Sequence, residues 1–295
     1  MGYKFHYNQN DAFSKLAWIA AICKNSDTIN VIHGSSVECR ENFMVEGVWD
    51  DKFEKGGFHR SEIFFGSGIK IENETIYISI SSTAIDRILY CKYKGQLFFS
   101  NSLILLLAYT GAKLDINHDY KQECFSQCIS INRNPYKREF TVIHPEIKNF
   151  YQVFHENIII NQGQIGFDYR YKNHKIVSYN QCLKFLNNTL EKIRDNYESN
   201  KRSVSFSKFT MLSKGYDSTA VSALVKEIGV KSAFVANRVK SNIQIIAKDD
   251  ESAGAKLIAK KLGYEVLFLD NKGSNISDDE LYFLSTTFPK HHSQA

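Results

Sequence analysis

Six residues, Ser213-Lys-Gly-Tyr-Asp-Ser218, have the types and spacing best suited to chemistry in this chain, and we call them the serine loop. They stand between a short apolar run and a helical pattern. A strand, a turn and a helix in this order direct backbone N–H groups and a helix N-terminus at one place, which attracts a phosphate. The hydroxyls of Ser213 and Ser218 are further donors to phosphate oxygens. The loop is therefore a candidate anion site.

Two other positions of the loop refine this chemistry. Gly215 has no Cβ, so we expect its backbone to approach an anion closely and to adopt a positive φ. Asp217 would repel a triphosphate unless a cation intervened, which indicates that it holds Mg²⁺ between the phosphates. The simpler alternative is a strand–helix turn with serine caps, which any α/β protein can contain.

The sequence around the loop alternates regularly between strands and helices. It predicts a strand at 207–212, a helix at 217–228, a strand at 232–237, a helix at 250–262 and a strand at 264–269. This order favours a doubly wound parallel sheet with its ligand beyond the carboxyl ends of the strands. We expect the two helices to pack on the sheet through Ala220, Val221, Leu224, Val225 and Ile228, and through Ala253, Leu257, Ile258 and Leu262.

An amphipathic helix precedes this series and begins at Ser178. Its apolar residues recur at steps of three and four, which places them on one face. They are Tyr179, Leu183, Leu186, Leu190, Ile193 and Tyr197.

The first part of the chain has an α+β pattern. We expect strands at 62–65, 75–80 and 96–99, a turn at Lys94-Gly95, and a hairpin at 158–165. Helices are predicted at 11–23 with Asp11 as a cap and at 101–109 with Asn101 as a cap. With 295 residues, the chain is long enough for two domains, which we place at 1–172 and 173–295.

Composition limits the functional classes. The chain is 43% hydrophobic and 23% charged, as in an ordinary globular protein. Its net charge of +5 suits binding of a polyanion such as ATP but is small for a nucleic-acid binder. We expect no membrane association, because the longest apolar run is too short to span a bilayer. Six cysteines without a C-x-x-C pair favour a reducing cytoplasm.

The serine loop resembles the Ser-Gly-Gly-x-Asp-Ser loop of the ATP pyrophosphatases, and the order of the chain resembles the asparagine synthetase and β-lactam synthetase group. Two further segments are similar to that group. Phe99-Ser-Asn-Ser-Leu-Ile-Leu-Leu-Leu107 resembles a strand that runs into a short apolar helix. Asp250-Glu251, followed by Ala255 and Ala259, resembles its Asp-Glu-x-x-x-Ala-x-x-x-Ala helix. A Walker loop and a Gly-x-Gly-x-x-Gly fingerprint are both absent.

The resemblance implies a glutaminase-like sandwich followed by a pyrophosphatase domain. It implies a ligase that uses ATP and Mg²⁺ to adenylate a carboxylate, which an amine or ammonia then attacks. By the same resemblance, Ser213, Gly215, Asp217 and Ser218 bind the nucleotide phosphates, and Asp217 also binds the metal. The backbone at Val235 would contact adenine. The substrates and the formation of a homo-oligomer stay open.

The chain departs from the group in three respects. Residue 2 is glycine where the glutaminases have a cysteine whose own α-amine is the base, so we expect no glutamine hydrolysis. Lys214 replaces a glycine of the loop; it either adds a catalytic charge-assisted contact to pyrophosphate or obstructs it with its Cβ. We expect the loop to tolerate Lys214, because its side chain can swing outward into solvent.

Third, the later acidic and lysine residues of the group have no counterpart, so we expect a truncated pyrophosphatase domain. A non-catalytic protein that binds a nucleotide or a partner is therefore the alternative function. RNA thiolation by the same loop is disfavoured, because it would require a reactive cysteine pair and a basic RNA-binding region, and the sequence shows neither.

Overall fold

The computed structural model describes residues 2–23, 26–83, 86–120, 122–123, 136–170, 174–236 and 251–269. These residues form two compact units. The first, which we call the N-terminal sandwich, contains the chain up to His174 together with Ser199–Val204. The second, the C-terminal unit, contains Lys175–Glu198 and the described residues from Ser205 onward. The predicted boundary between residues 172 and 173 lies outside the described residues.

The N-terminal sandwich consists of two sheets. One has seven strands in the order β1-β3-β2-β9-β8-β11-β10 and the other has six in the order β13-β12-β7-β6-β5-β4. β1 and β3 pair in parallel, and the other pairs are antiparallel. The strands are β1 (Lys4–Gln9), β2 (Trp18–Cys23), β3 (Thr28–His33), β4 (Glu38–Cys39), β5 (Phe43–Trp49), β6 (Phe64–Glu72), β7 (Thr75–Ile80), β8 (Ile88–Tyr93), β9 (Gln96–Ser100), β10 (Glu139–Thr141), β11 (Asn149–Val153), β12 (Glu156–Asn161) and β13 (Gln164–Tyr169).

The main core lies between the two sheets. Trp18, Ile29 and Phe99 of the first sheet pack with Met44 and Ile78 of the second. Because side chains alternate along a strand, each sheet also presents a second face, and both second faces are covered in part. Helix α1 (Leu103–Thr110) covers the first sheet.

An aromatic cluster covers the outer face of the six-stranded sheet. Two short 3-10 helices, Phe53–Lys55 and Phe58–Arg60, contribute to it. A Cβ on Gly68 would lie 2.6 Å from the carbonyl oxygen of Met44 and 3.0 Å from Cζ of Phe58, so a glycine is needed at this position of β6. The cluster consists of Phe43, Val45, Trp49, Phe53, Phe58 and Phe64.

Several predicted elements of the sandwich are confirmed. The strands at 75–80 and 96–99 form, and the hairpin at 158–165 is that of β12 and β13. Lys94 and Gly95 both have positive φ, as a tight turn between antiparallel strands requires. The strand predicted at 62–65 is confirmed only at residues 64 and 65, because β6 runs from Phe64 to Glu72 and residues 62 and 63 form a bend.

Two predictions for the sandwich are wrong. The predicted helix at 11–23 is a turn followed by β2, which pairs with β3 and β9. Asp11 accepts a hydrogen bond from the Gln9 side chain and caps nothing. Ser102, instead of Asn101, caps α1; Asn101 bonds to the backbone of Trp18.

The C-terminal unit contains α2 (Tyr179–Tyr197) and a parallel sheet with strand order β14-β15-β16. The strands are β14 (Phe209–Met211), β15 (Ser232–Ala236) and β16 (Glu265–Leu269), joined by α3 (Tyr216–Lys226) and α4 (Glu251–Leu262). The predicted strand–helix alternation is therefore confirmed. Within the part of the chain that the structure describes, no helix combines the length and apolar character needed to cross a membrane.

The inward faces of these helices match the prediction in part. Val225, Ile228, Ile258 and Leu262 contribute to the core of the unit as predicted.

Other predicted core residues face outward. On α3, Val221 is 52% exposed and Ser222 is fully buried. On α4, Leu257 is 55% exposed, while Ala255 and Ala259 are buried. Small residues therefore take part in the packing, which allows the helix backbones to approach the sheet closely.

The start of α2 is confirmed, because the side chain of Ser178 accepts a hydrogen bond from the N–H of Gln181. Its apolar face is covered only in part. Leu190 packs against the core of the unit, whereas Tyr179 is 79% exposed and Leu186 is also exposed.

Candidate functional site

The serine loop is held between β14 and α3, at the carboxyl end of the strand. Leu212, the residue before the loop, is buried, and its N–H donates to the carbonyl oxygen of Phe234 at 2.9 Å. The loop therefore starts from a fixed position at the end of the parallel sheet, where ligands of such sheets commonly bind.

A buried polar contact fixes α3 against the sheet. The hydroxyl oxygens of Thr210 and Ser222 are 3.0 Å apart, and the Tyr264 hydroxyl donates to the carbonyl oxygen of Ser222. Sequence reasoning missed all three residues. The one signal for Ser222 is its position four residues after Ser218, which places both on the same face of the helix.

The structure brings the two predicted serines of the loop together. The hydroxyl oxygens of Ser213 and Ser218 are 2.8 Å apart. The Ser218 hydroxyl accepts the N–H of Ser213 at 3.1 Å, and the Ser213 hydroxyl accepts the N–H of Gly215 at 3.2 Å. Two backbone donors of the loop are thus bonded to serine hydroxyls in the absence of a ligand.

Gly215 does not adopt the predicted positive φ. Its φ is −70° and its ψ is 152°, an extended conformation that most residues can adopt. A Cβ at this position would lie 3.2 Å from the hydroxyl oxygen of Ser213. The glycine therefore provides space beside the serine hydroxyls, while the strain of a left-handed turn is absent.

The first turn of α3 offers further donors. The N–H groups of Tyr216, Asp217 and Ser218 belong to the first turn and have no acceptor within the helix, as in every α-helix. They give this end a partial positive charge that favours an anion. Asp217 is exposed in the same turn. The helix dipole alone also favours an acid there, so its position fits both a metal ligand and a structural role.

Lys214 is exposed, as expected of a side chain that can swing into solvent. A Cβ on Gly254 of α4 would lie 3.3 Å from both Cγ and Cδ of Lys214. The aliphatic part of the lysine therefore runs over Gly254, where a larger residue would displace it.

Val235 is one residue before the end of β15. Its side chain is 1% exposed and belongs to the core of the C-terminal unit. Only its backbone could contact a ligand, which agrees with the kind of contact that we expect from this residue.

Among the described residues, no group of three or more His, Cys, Asp or Glu side chains could hold a metal ion. Mg²⁺ in nucleotide sites is usually held by one or two carboxylates, phosphates and water. The single exposed carboxylate of Asp217 beside a cluster of hydroxyl and N–H donors fits this pattern.

The chain was compared with known proteins. No family model matches it, and no curated protein matches it either.

Proposed function

We propose that the serine loop binds the phosphates of ATP and that the chain is an ATP-dependent, AMP-forming ligase of the asparagine synthetase type. In this proposal it adenylates a carboxylate, and an amine or free ammonia then forms the amide. The observation that carries the proposal is the convergence of two serine hydroxyls and a helix N-terminus at the end of the first parallel strand. We further propose the finer domain assignment, a degenerate glutaminase-like sandwich before a doubly wound pyrophosphatase domain.

The internal hydrogen bonds of the loop are compatible with phosphate binding. The N–H groups of Ser213 and Gly215 must leave the serine hydroxyls, and each such bond contributes about 0.5–1.5 kcal/mol. Bonds to a charged phosphate oxygen contribute about 1.5–3 kcal/mol each. The exchange is therefore favourable, and the same hydroxyls can rotate to donate to the phosphates.

Each residue of the loop has a proposed role. Ser213, Gly215 and Ser218 supply donors to the phosphates, and Lys214 neutralises charge on the departing pyrophosphate. Asp217 holds Mg²⁺, which supplies further positive charge to the triphosphate when bound. Because an enzyme of this kind consumes ATP, we propose that it acts in the cytoplasm.

The second candidate is a non-catalytic protein of the same group that binds a nucleotide or a partner. Two observations favour it. Loop donors are already bonded within the protein, and residue 2 is an exposed glycine instead of a cysteine nucleophile.

The test is ATP–pyrophosphate exchange by the full chain across a panel of carboxylic acids, together with direct titration of MgATP. We expect exchange with at least one acid and a loss of about 100-fold in the Asp217→Asn variant, the usual effect of removing one preorganised charge contact. Asp195→Asn is the matched control, because this acid is 67% exposed on α2 of the same unit.

The outcomes separate the candidates. MgATP binding without exchange for any acid supports the non-catalytic protein. No binding of MgATP, or an Asp217→Asn variant as active as the Asp195→Asn control, contradicts the role of the serine loop.

A further inference from the structure

A thiol and an imidazole lie side by side in the N-terminal sandwich. Sγ of Cys39 is 3.4 Å from Nε2 of His33, within hydrogen-bonding distance for sulfur. His33 is the last residue of β3, in the seven-stranded sheet, and Cys39 belongs to β4, an edge strand of the six-stranded sheet. The two residues are only six positions apart in the sequence. They belong to different sheets, so their side chains meet only when the two sheets pack.

The other ring nitrogen of His33 decides the direction of the hydrogen bond. Nδ1 lies 2.9 Å from the carbonyl oxygen of Gly34. A carbonyl oxygen only accepts, so Nδ1 carries the proton and Nε2 has a free lone pair. The thiol of Cys39 then donates to Nε2, which is the arrangement of a nucleophile and its general base.

The strand that carries Cys39 is fixed from its other side. The neighbouring Glu38 forms a fully buried ion pair with Arg202 at 2.6 Å and also accepts the N–H of Ser203 at 2.8 Å. Arg40 donates to the carbonyl oxygen of Cys39 at 2.8 Å. A reactive group held by rigid neighbours keeps its geometry, as catalysis requires.

Exposure and charge define the kind of reaction. His33 is buried, whereas Cys39 is partly exposed and packs against the core between the two sheets. Burial raises the pKa of the Cys39 thiol to about 12, so the resting thiol is neutral and must lose its proton to His33 during attack. Such a pair needs an electrophile with a good leaving group, for example a thioester or an activated ester.

We propose that Cys39 and His33 form an acyl-accepting site that takes activated acyl groups such as thioesters and activated esters. Sγ of Cys39 attacks the carbonyl carbon as its proton passes to Nε2 of His33. The bond from that carbon to the leaving oxygen or sulfur breaks, and the leaving group takes the proton from His33. The product is a thioester on Cys39, which water can hydrolyse with His33 again acting as the base. This site is independent of the serine loop and of the ligase proposal.

The experiment uses the full chain and p-nitrophenyl acetate, an ester whose leaving group is followed by absorbance. We expect release of p-nitrophenolate together with one acetyl group on the peptide that contains Cys39. His33→Asn keeps a donor for the Gly34 carbonyl and removes the base, so acetylation of Cys39 should slow by about 100-fold. Cys39→Ala should abolish the release of p-nitrophenolate that depends on this site.

Cys182→Ala is the matched control, because Cys182 is also a partly exposed cysteine, and it should leave the rate unchanged. In the unaltered chain, equal acetylation of Cys23, Cys39 and Cys182 would overturn the proposal without any variant. Acetylation of a folded His33→Asn variant at the original rate would overturn it as well.

Discussion

The N-terminal sandwich and the C-terminal unit are held together by different kinds of side chain. The sandwich buries large rings, such as Trp49 and Phe58, which each bury about 150–250 Å². The described core of the C-terminal unit combines three alanines with aliphatic side chains such as Leu212 and Ile228 and with one ring, that of Tyr264. Burial of aromatic rings therefore contributes more to the sandwich than to this core.

The buried polar groups follow the same division. In the sandwich, a whole ion pair is buried between Glu38 and Arg202, and the Arg202 guanidinium lies 4.4 Å from the ring centre of Phe53. Among the described residues of the C-terminal unit, the buried polar side chains are neutral, at Asn196, Thr210 and Ser222. Loss of a buried contact should therefore cost less there than in the sandwich, where it would leave a buried charge without its partner.

The largest loss of stability should come from Arg202→Ala. The substitution leaves the Glu38 carboxylate buried without its partner, which should lower the free energy of unfolding of the sandwich by about 3–5 kcal/mol. The chain has two tryptophans, Trp18 and Trp49, and both are in the sandwich. Denaturation followed by tryptophan fluorescence therefore reports on this unit.

The control for Arg202→Ala is Arg194→Ala. Arg194 pairs with Asp195 at the surface of α2, where water screens the two charges, so its loss should leave the stability almost unchanged. If both variants unfolded at the same denaturant concentration, the ion pair of the sandwich would not have the importance that we assign to it.

A smaller effect is expected from Ser222→Ala in the C-terminal unit. It leaves the buried hydroxyl of Thr210 without this partner, which should cost about 1–3 kcal/mol. Hydrogen exchange of α3 measures the loss, and tryptophan fluorescence should not change. Ser207→Ala, at an exposed serine of the same unit, is the control; equally fast exchange of α3 in both variants would contradict the contact.

The third effect is a dependence of the stability of the sandwich on pH. Burial, with Asp86 nearby, raises the pKa of Glu46 from 4.5 to about 8, against hydrogen bonds from Ser67 and Asn101 that lower it. The folded state therefore binds a proton that the unfolded state releases, so stability falls as the pH rises from about 4.5 to about 8. One proton corresponds to a slope of at most about 1.4 kcal/mol per pH unit.

Glu46→Gln should remove this slope in denaturation followed by tryptophan fluorescence at several pH values. Glu74→Gln, at an exposed carboxylate of a turn in the same unit, should retain it. An unchanged slope in Glu46→Gln would assign the dependence to another group.

The smallest effect should come from Ser178→Ala, which removes the hydrogen bond to the N–H of Gln181 at the start of α2. Loss of such a cap costs about 1 kcal/mol. Hydrogen exchange of the first turn of α2 should become faster, with no change at α3. Faster exchange along both helices would show that α2 and α3 unfold together.

Local patterns predicted much of the fold. The alternation that ends in β16 and the turn at Lys94-Gly95 were correct, because each depends on neighbouring residues. The prediction of a helix at 11–23 is wrong at Trp18–Cys23, because a short apolar run does not distinguish a buried strand from a buried helix. Pairing with β3 and β9 makes it a strand.

The candidate sites show the same limit. Ser213 and Ser218 could be identified from spacing alone, because a strand–turn–helix brings the ends of its own turn together. The orientation of α3 could not be predicted, because Val221 is more apolar than Ser222. The partner of the inward-facing Ser222 hydroxyl is Thr210, which β14 contributes from another part of the unit.

The sequence by itself determined the strand–helix alternation of the C-terminal unit and the position of the serine loop within it. Such features arise from contacts between residues that are close along the chain. The tertiary structure alone decided that Cys39 has His33 as a neighbour and that Glu38 meets Arg202. These contacts join residues of different strands or of distant segments. Their geometry depends on how these segments pack against one another, and residue types and spacing along the chain do not determine that packing.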